Sequence, residues 1–520
     1  MLHIGNVANY AYNIAKVLQT DRIRSDAISW DYYHINARPI WEEGDFDASL
    51  AGDHFFPALP SGAEARFDEP DWYWHGPRRL ACLGLIAHNE GHPRLAAMIR
   101  RMCERHLRRI ADPSRRARDV ERGDVRILEI LAGDLLGGFG PADSPRQVQR
   151  WLNGRCWGRP LVPLAERFMA VATRRREGPV WEEAGAGAYF GGLVERLLSE
   201  YQTAWPDRAI DPMLLHQFAS DIGLMRRLLK PYDVVIGYAI DGIWPLLAGR
   251  KYIAYEFGTI RNLPFEDNPM GQLASMVYRN SELTIVTNCD NEAPARRLGR
   301  PYRFLPHVIN ESGLIESRDG LRAELEARHG GSFYIFHPPR QHWDETRNTN
   351  WDKGNDKLFQ ALAILVHDRG LDARCIAVNW GATLASSKAL ISALGIERNV
   401  IWIEPQPHRR MMRWIAAADV VADQFTIPTF GGIPPKAFLA GRPVVTRFDP
   451  ALHRWCFENL PPFLPASEPE EIASALQRLA SDPAFAAELS ARGRAWYRME
   501  NSNDRIRSIL VDMVEKSVAA

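Results

Sequence analysis

The chain has 520 residues, 46% of them apolar, and balances 64 basic against 64 acidic side chains. That length holds two or three domains with separate cores, and the even charge argues against a general nucleic-acid binder. The six cysteines (Cys82, Cys103, Cys156, Cys289, Cys375, Cys456) are scattered with no C-x-x-C pair. Their spacing fits neither a zinc site nor a disulfide framework and points to a reducing compartment.

At the N-terminus, Met1-Leu2-His3-Ile4-Gly5 carries no basic leader, and no run approaches the roughly 18 apolar residues of a membrane span. A cytoplasmic protein is expected. Leu2 to Ile4 reads as a strand, followed by Gly5-Asn6 and a helical pattern from Asn9 to Leu18. A glycine turn thus falls where open α/β sheets bind ligands. A second strand is expected over 25–30. The stretch 31–70, rich in Trp, Tyr, Asp and Gly, reads as a lid, an acceptor-facing loop or a cover for the sheet edge.

From Trp72 to about Lys230, apolar residues recur at three and four spacing, predicting helices at 80–86, 95–110, 125–136, 161–173 and 193–201. No strand is evident there, so 72–230 reads as a helical insertion. Within it, Arg100 to Arg126 is arginine-rich. That run reads either as a patch for anionic lipid headgroups or an anionic glycan, or as a solvated helix face, since Glu104, Asp112, Asp119 and Glu121 are interspersed.

Strand signals return at 233–237, 251–255, 283–287 and 302–305, separated by helical runs, the alternation of a parallel sheet. Polar 311–331 reads as a crossover. A second alternation follows, with strands at 333–337, 374–379 and 400–403 and helices at 356–368, 386–394 and 411–417. It leads into Ala418 to Val445, ADVVADQFTIPTFGGIPPKAFLAGRPVV. Here a β-branched run breaks at Pro428, passes Gly431-Gly432, and enters a short helix from Lys436 to Ala440. Gly441 stops the helix and Pro443-Val444-Val445 begins another strand. Strand, glycine turn and helix make a phosphate site, because the helix start offers free N–H groups and a positive dipole end.

This last stretch resembles, without a gap, the donor-binding signature of retaining GT-B glycosyltransferases of the family-four type, E-x7-E followed by A-x-A-x-G-x-P-V-V. The glycine pair, the helix, Gly441 and Pro443-Val444-Val445 fall in place, but Pro428 and Lys436 stand where the two glutamates belong. The resemblance is firm over 333–447, extends to 2–18 and 233–310, and is absent over the insertion. It implies an α/β fold of GT-B type, two Rossmann-like domains facing a cleft. Residues 1–320 would form an acceptor-side domain and 321–485 a donor-binding domain. Residues 486–520 would form a terminal helix crossing back to the first domain.

The same resemblance implies the site. Moving a sugar off a nucleotide requires neutralising the diphosphate leaving group, which arginine and lysine do by fixed charge. In HPPRQHW (337–343) and DKGNDKLFQALA (352–363), Arg340 and Lys353 match the family's phosphate-holding arginine and lysine. Thr429, Phe430, Gly431 and Gly432 would add main-chain N–H groups. At the position of Lys436 the family's glutamate hydrogen-bonds the ribose, which lysine cannot do as an acceptor; Lys436 would instead grip a phosphate or an acidic group of the donor. Gly5, Asn6, Gly381 and Glu404 end strands on the ligand-facing edge and complete the donor contacts. Glu256, in YEFGTIR, stands roughly where the family carries a histidine near the reacting sugar. It reads as a base for the acceptor or as an ion-pair partner of Arg261. Arg261 and His307 border the cleft.

The activity implied is transfer of a sugar from a nucleotide-activated donor to a glycan or lipid-linked acceptor in bacterial cell-surface polysaccharide synthesis. Anomeric configuration is retained and neither metal nor other cofactor takes part. Peripheral contact with the inner face of the membrane would run through Arg100–Arg126. Two other readings stay open: a nucleotide-sugar epimerase or pseudo-glycosyltransferase on the same fold, and a non-catalytic partner retaining the fold.

Overall fold

The computed structural model of the chain describes residues 1–20, 22–30, 38–46, 67–110, 186–311, 319–344 and 352–519. The helices expected at 125–136 and 161–173, most of the arginine-rich run and most of 31–70 lie outside the described residues.

The first sheet has seven parallel strands: β1 (Leu2–Ile4), β2 (Asp26–Ser29), β3 (Tyr73–His75), β4 (Val235–Tyr238), β5 (Ile253–Tyr255), β6 (Leu283–Val286) and β7 (Tyr302–Phe304). They run in the order β3-β2-β1-β4-β5-β6-β7. Leu2, Ile4, Ile28, Ile236, Ala254 and Ile285 are wholly buried. Helices cover both faces of such a sheet, which is why its strands read as continuous apolar runs rather than alternating ones.

Strand β3 corrects the purely helical reading of 72–230. It pairs with β2 in register Ala27↔Tyr73, Ile28↔Trp74 and Ser29↔His75. Three residues are too few to show a period of two, and the strand is held by tertiary contacts. Arg100, on the helix Pro93–Ile110, donates to the carbonyls of Tyr73 (3.0 Å) and Asp71 (2.8 Å) and lies 4.2 Å over the Trp74 ring. Arg100 is therefore committed to the sheet edge instead of an open anion-attracting patch.

The second sheet has six parallel strands: β8 (Phe333–His337), β9 (Ala373–Val378), β10 (Val400–Ile403), β11 (Val420–Ala422), β12 (Val444–Thr446) and β13 (Leu464–Pro465), in the order β10-β9-β8-β11-β12-β13. Each sheet reverses its strand order once, between β1 and β4 and between β8 and β11. Open α/β sheets bind ligands at such switch points, outside the carboxyl ends of the strands.

The two carboxyl edges meet. Past β7, His307 hydrogen-bonds Phe430 past β11, with Nε2 2.9 Å from the carbonyl oxygen. His408 Nε2 lies 2.7 Å from the carbonyl of Asn310, and Trp455 Nε1 donates to the carbonyl of Cys289 at 2.8 Å. The last helix, Asn503–Ala519, packs Ile506, Leu510 and Met513 against Ala11, Ile14, Val17 and Leu18 of the first domain. Two Rossmann-like domains facing a cleft make this a GT-B fold. No helix among the described residues is long and apolar enough to cross a membrane.

Candidate active site

The second domain contributes two strand ends. After β8 the chain turns back into the helix Asn355–Ala363, and the buried Asn355 ties the turn together. Its Nδ2 lies 2.8 Å from His337 Nε2 and 3.3 Å from the Arg340 carbonyl, while its Oδ1 accepts from the His342 amide at 2.9 Å. His337 bridges to the other strand end, donating from Nδ1 to the Ala422 carbonyl at 2.9 Å. Burial pushes its pKa down to about 4, so the ring is neutral and fills these two roles.

Lys353 is clamped on both sides of its main chain. Its N–H donates to His342 (2.7 Å) and its carbonyl accepts from Phe425 (2.9 Å). Gly354 takes a left-handed turn (φ +63°), and a Cβ there would lie 2.9 Å from Thr426 Oγ1. Lys353 Nζ donates to Gln424 Oε1 at 2.7 Å, and Gln424 Nε2 is held by the Thr429 carbonyl at 3.1 Å. The ammonium is thus aimed before any ligand arrives.

Past β11, the structure alters three sequence expectations. Thr429 does not offer a free amide, because its N–H is used by Ile427 at 2.9 Å. The Phe430 side chain is a core residue, wholly buried against Phe457, Phe463 and Trp496, and it meets the first domain through its carbonyl and its ring, both at His307. The helix Ile433–Leu439 begins Ile-Pro-Pro-Lys, and Pro434 and Pro435 have no N–H to offer. Its start is therefore a poor anion cradle, and positive charge must come from side chains. Gly431 and Gly432 do face open space, with no atom within 4 Å of where a Cβ would stand.

The first domain contributes the ends of β1, β4, β5 and β7. Gly5 has φ +90°, and a Cβ there would meet Asp241 Oδ2 at 2.3 Å. Ala8, Asn9 and Ala239 are the non-glycine residues with positive φ (50°, 57° and 49°) among the described residues. All three follow β1 or β4, so backbone strain gathers at the switch point. Asn6, expected to touch the donor, is turned inward. Its Nδ2 donates to Asn9 Oδ1 (2.9 Å) and the Tyr73 hydroxyl (3.1 Å), and its Oδ1 accepts from the Tyr12 amide (3.0 Å).

Glu256 is likewise not an open base. It is wholly buried; Oε1 accepts from the Thr287 amide (2.8 Å), and Oε2 from the Gly258 amide (2.6 Å) and Asn291 Nδ2 (3.0 Å). Burial raises its pKa against the pull of these donors. It fixes the loops after β5 and β6. Nor does it pair with Arg261, whose guanidinium makes a two-pronged contact with Asp290, NH2 to Oδ1 at 2.8 Å.

Electrostatics shows what the fold assembles. Burial lowers the Lys353 pKa to about 8; Asp423 opposes this, and the charges of Arg340 and Arg261 depress it further. Arg261 comes from the first domain and Arg340 and Lys353 from the second, so three cations from two domains converge on the cleft. Asp423 is buried, its pKa raised to about 6 by burial and held back by Lys353. On the other flank, burial lowers the His307 pKa to about 4 and that of Lys436 below its ordinary value, with Glu42 of the first domain opposing the latter.

Gly381 and Glu404 follow β9 and β10, the first buried and the second exposed. Gly381 (φ +136°) lets the β9 turn rest on Gln341, whose carbonyl oxygen would be 2.2 Å from a Cβ; Glu404 is exposed and accepts from Asn379 Nδ2 at 2.9 Å. Asn355, His337, Asp423, Gln424 and Asp290 were not singled out from sequence. Asp423-Gln424 carried a usable signal, being polar residues directly after a buried strand. Among the described residues no cluster of three or more His, Cys, Asp or Glu side chains could hold a metal ion.

Two Rossmann-like domains facing a cleft, with Arg261 of the first and Arg340 and Lys353 of the second acting on one another across it, define a GT-B fold. No family model matches the chain. It is 26% identical over 360 residues to D-inositol 3-phosphate glycosyltransferase 1 of Catenulispora acidiphila, an alignment covering 62% of this chain and 82% of that one. Among solved structures, Anabaena HepE in complex with UDP and glucose is similar at 18% identity and a TM-score of 0.48, over 58% of this chain and 83% of that one. Sucrose-phosphate synthase from Thermosynechococcus elongatus is similar at 18% identity and a TM-score of 0.46, over 59% and 79%.

Proposed function

We propose that the protein is a glycosyltransferase that moves a sugar from a nucleotide-activated donor to a glycan or lipid-linked acceptor. The observation that carries this reading is the convergence of Arg340 and Lys353 with Arg261 at the β8–β11 switch point. A leaving diphosphate gains negative charge as the glycosidic bond to it breaks. Preorganised cations in a desolvated cleft stabilise that charge without reorganising. Here Lys353 is aimed by Gln424 and Arg340 is set by Asn355 through its carbonyl. With fixed cations in this role, the reaction proceeds without a metal, and donor and acceptor meet on one face with retention of configuration. The curated relative is itself a glycosyltransferase. Following the sequence resemblance, the acceptor is assigned to cell-surface polysaccharide synthesis at the cytoplasmic side of the membrane.

The test is a thermal-shift and calorimetric screen of the full chain against nucleoside diphosphates and nucleotide sugars, with and without EDTA, repeated with Lys353→Ala. A ligand of the folded state raises the melting temperature by mass action. Stabilisation by one donor class, insensitive to EDTA and lost in the variant, supports the reading. Conversion of the bound donor without an acceptor would favour an epimerase, and absence of any nucleotide effect would favour a non-catalytic partner.

A further inference from the structure

Lys436 is a second positive centre in the cleft, separate from the first. Lys353 feels Asp423, Arg340, Arg261 and Asp352, whereas the charge that acts on Lys436 is Glu42, from the helix Ile40–Glu43 of the first domain. The Lys436 ammonium makes no hydrogen bond and no close ion pair with any described residue, although the residue is half-buried. Glu42 is 8% exposed, burial raises its pKa, and its carboxylate takes a hydrogen bond from Asn13. A half-buried ammonium whose own hydrogens have no acceptor gains when a ligand supplies one.

Three features say what kind of ligand. Gly431 and Gly432, just ahead of Lys436, border open space. Pro434 and Pro435 remove two of the main-chain donors of this helix start, so the Lys436 side chain supplies its positive charge. His307, which is 3% exposed, has its Nε2 engaged by the Phe430 carbonyl while its Nδ1 has no partner. In the neutral ring that Nδ1 is a lone-pair acceptor. A group bearing both a negative charge and a hydroxyl would satisfy Lys436 and His307 together. A neutral hexose offers hydroxyls alone.

Resting on the nucleotide-sugar reading above, we infer that the donor sugar carries a carboxylate, as a hexuronate does. Lys436 receives that carboxylate and His307 Nδ1 accepts a hydroxyl of the same ring. The diphosphate is left to Arg340 and Lys353. Lys436 is a specificity residue, and charge-assisted hydrogen bonding gives it a preference no hydroxyl can match.

The experiment is calorimetric titration of the full chain with UDP, UDP-glucose and UDP-glucuronate, in wild type, Lys436→Met and Lys436→Arg. The expected result is binding of UDP-glucuronate about tenfold or more tighter than UDP-glucose in wild type. Lys436→Met removes that preference while leaving UDP affinity within about twofold, and Lys436→Arg keeps it. Equal affinity for the two sugars in wild type overturns the inference. So does a matching loss of UDP affinity in Lys436→Met, which would make Lys436 a diphosphate contact. Failure of UDP itself to bind wild type is a separate outcome, and overturns the nucleotide reading for this base together with the inference.

Discussion

His307 Nε2 donates to the carbonyl of Phe430 at 2.9 Å, and the two rings lie within 10° of parallel, one from each domain. The same imidazole stacks on Tyr10, at 5.4 Å between centroids. His307 therefore joins the strained β1 turn to the glycine loop after β11. Burial holds its pKa at about 4 against an ordinary 6.5. Between those pH values the unfolded chain binds the proton that the folded ring refuses, so stability rises with pH and is lost as pH falls from 6.5 towards 4. In His307→Gln the melting temperature should fall less steeply over that window than in wild type. His307→Ala should cost about 1–3 kcal/mol at pH 7, because a buried carbonyl loses its donor. Melting curves at several pH values check both.

Lys353 offers a pH test of binding. Its ammonium, with pKa lowered to about 8 chiefly by burial, is charged below that pH and neutral above it in the empty cleft. A bound diphosphate requires the charged form, so UDP affinity should fall above pH 8 by a factor approaching about tenfold per unit. Arginine keeps its proton throughout, so Lys353→Arg should flatten the profile even where it weakens binding. Lys353→Ala should lose roughly 10–100-fold in affinity at pH 7, the worth of a charge-assisted hydrogen bond. Titration calorimetry across pH 7–9.5 measures all three.

The sequence made the fold legible because parallel strands leave continuous apolar runs, such as Val420-Val421 and Phe333–His337, and glycine turns such as Gly5 and Gly354 mark their ends. The site was legible as segments but less so as side chains. Which way Asn6 and Glu256 point is decided by partners far along the chain, Tyr73 and Thr287, that no local pattern exposes. Pro434-Pro435 is the reverse case, because the loss of two amide donors at the helix start is written in the sequence itself.

Arg100 separates an architectural from a membrane role. It holds the β3 edge through backbone carbonyls and covers Trp74. Arg100→Ala should lower stability by about 2 kcal/mol, combining a charged hydrogen bond with a cation–π contact. Binding to vesicles containing anionic phospholipid should be unchanged relative to wild type. Denaturant unfolding and vesicle sedimentation measure the two effects independently.

Two kinds of glycine flank the cleft, and alanine should tell them apart. At Gly5 the backbone is left-handed and a Cβ would overlap the Asp241 carboxylate. Gly5→Ala should cost at least about 2 kcal/mol, since positive φ strains any other residue and the overlap adds to it. At Gly431 and Gly432 there is open space and no positive φ, so a methyl group meets nothing in the empty protein. Gly431→Ala and Gly432→Ala should leave the unfolding free energy within about 0.5 kcal/mol of wild type. If the ligand approaches this loop closely, the same methyl group obstructs it, and donor affinity should fall several-fold with stability intact. Wild-type affinity in both variants would place the ligand elsewhere in the cleft and shift the weight of donor contact onto the β8 turn and Lys353.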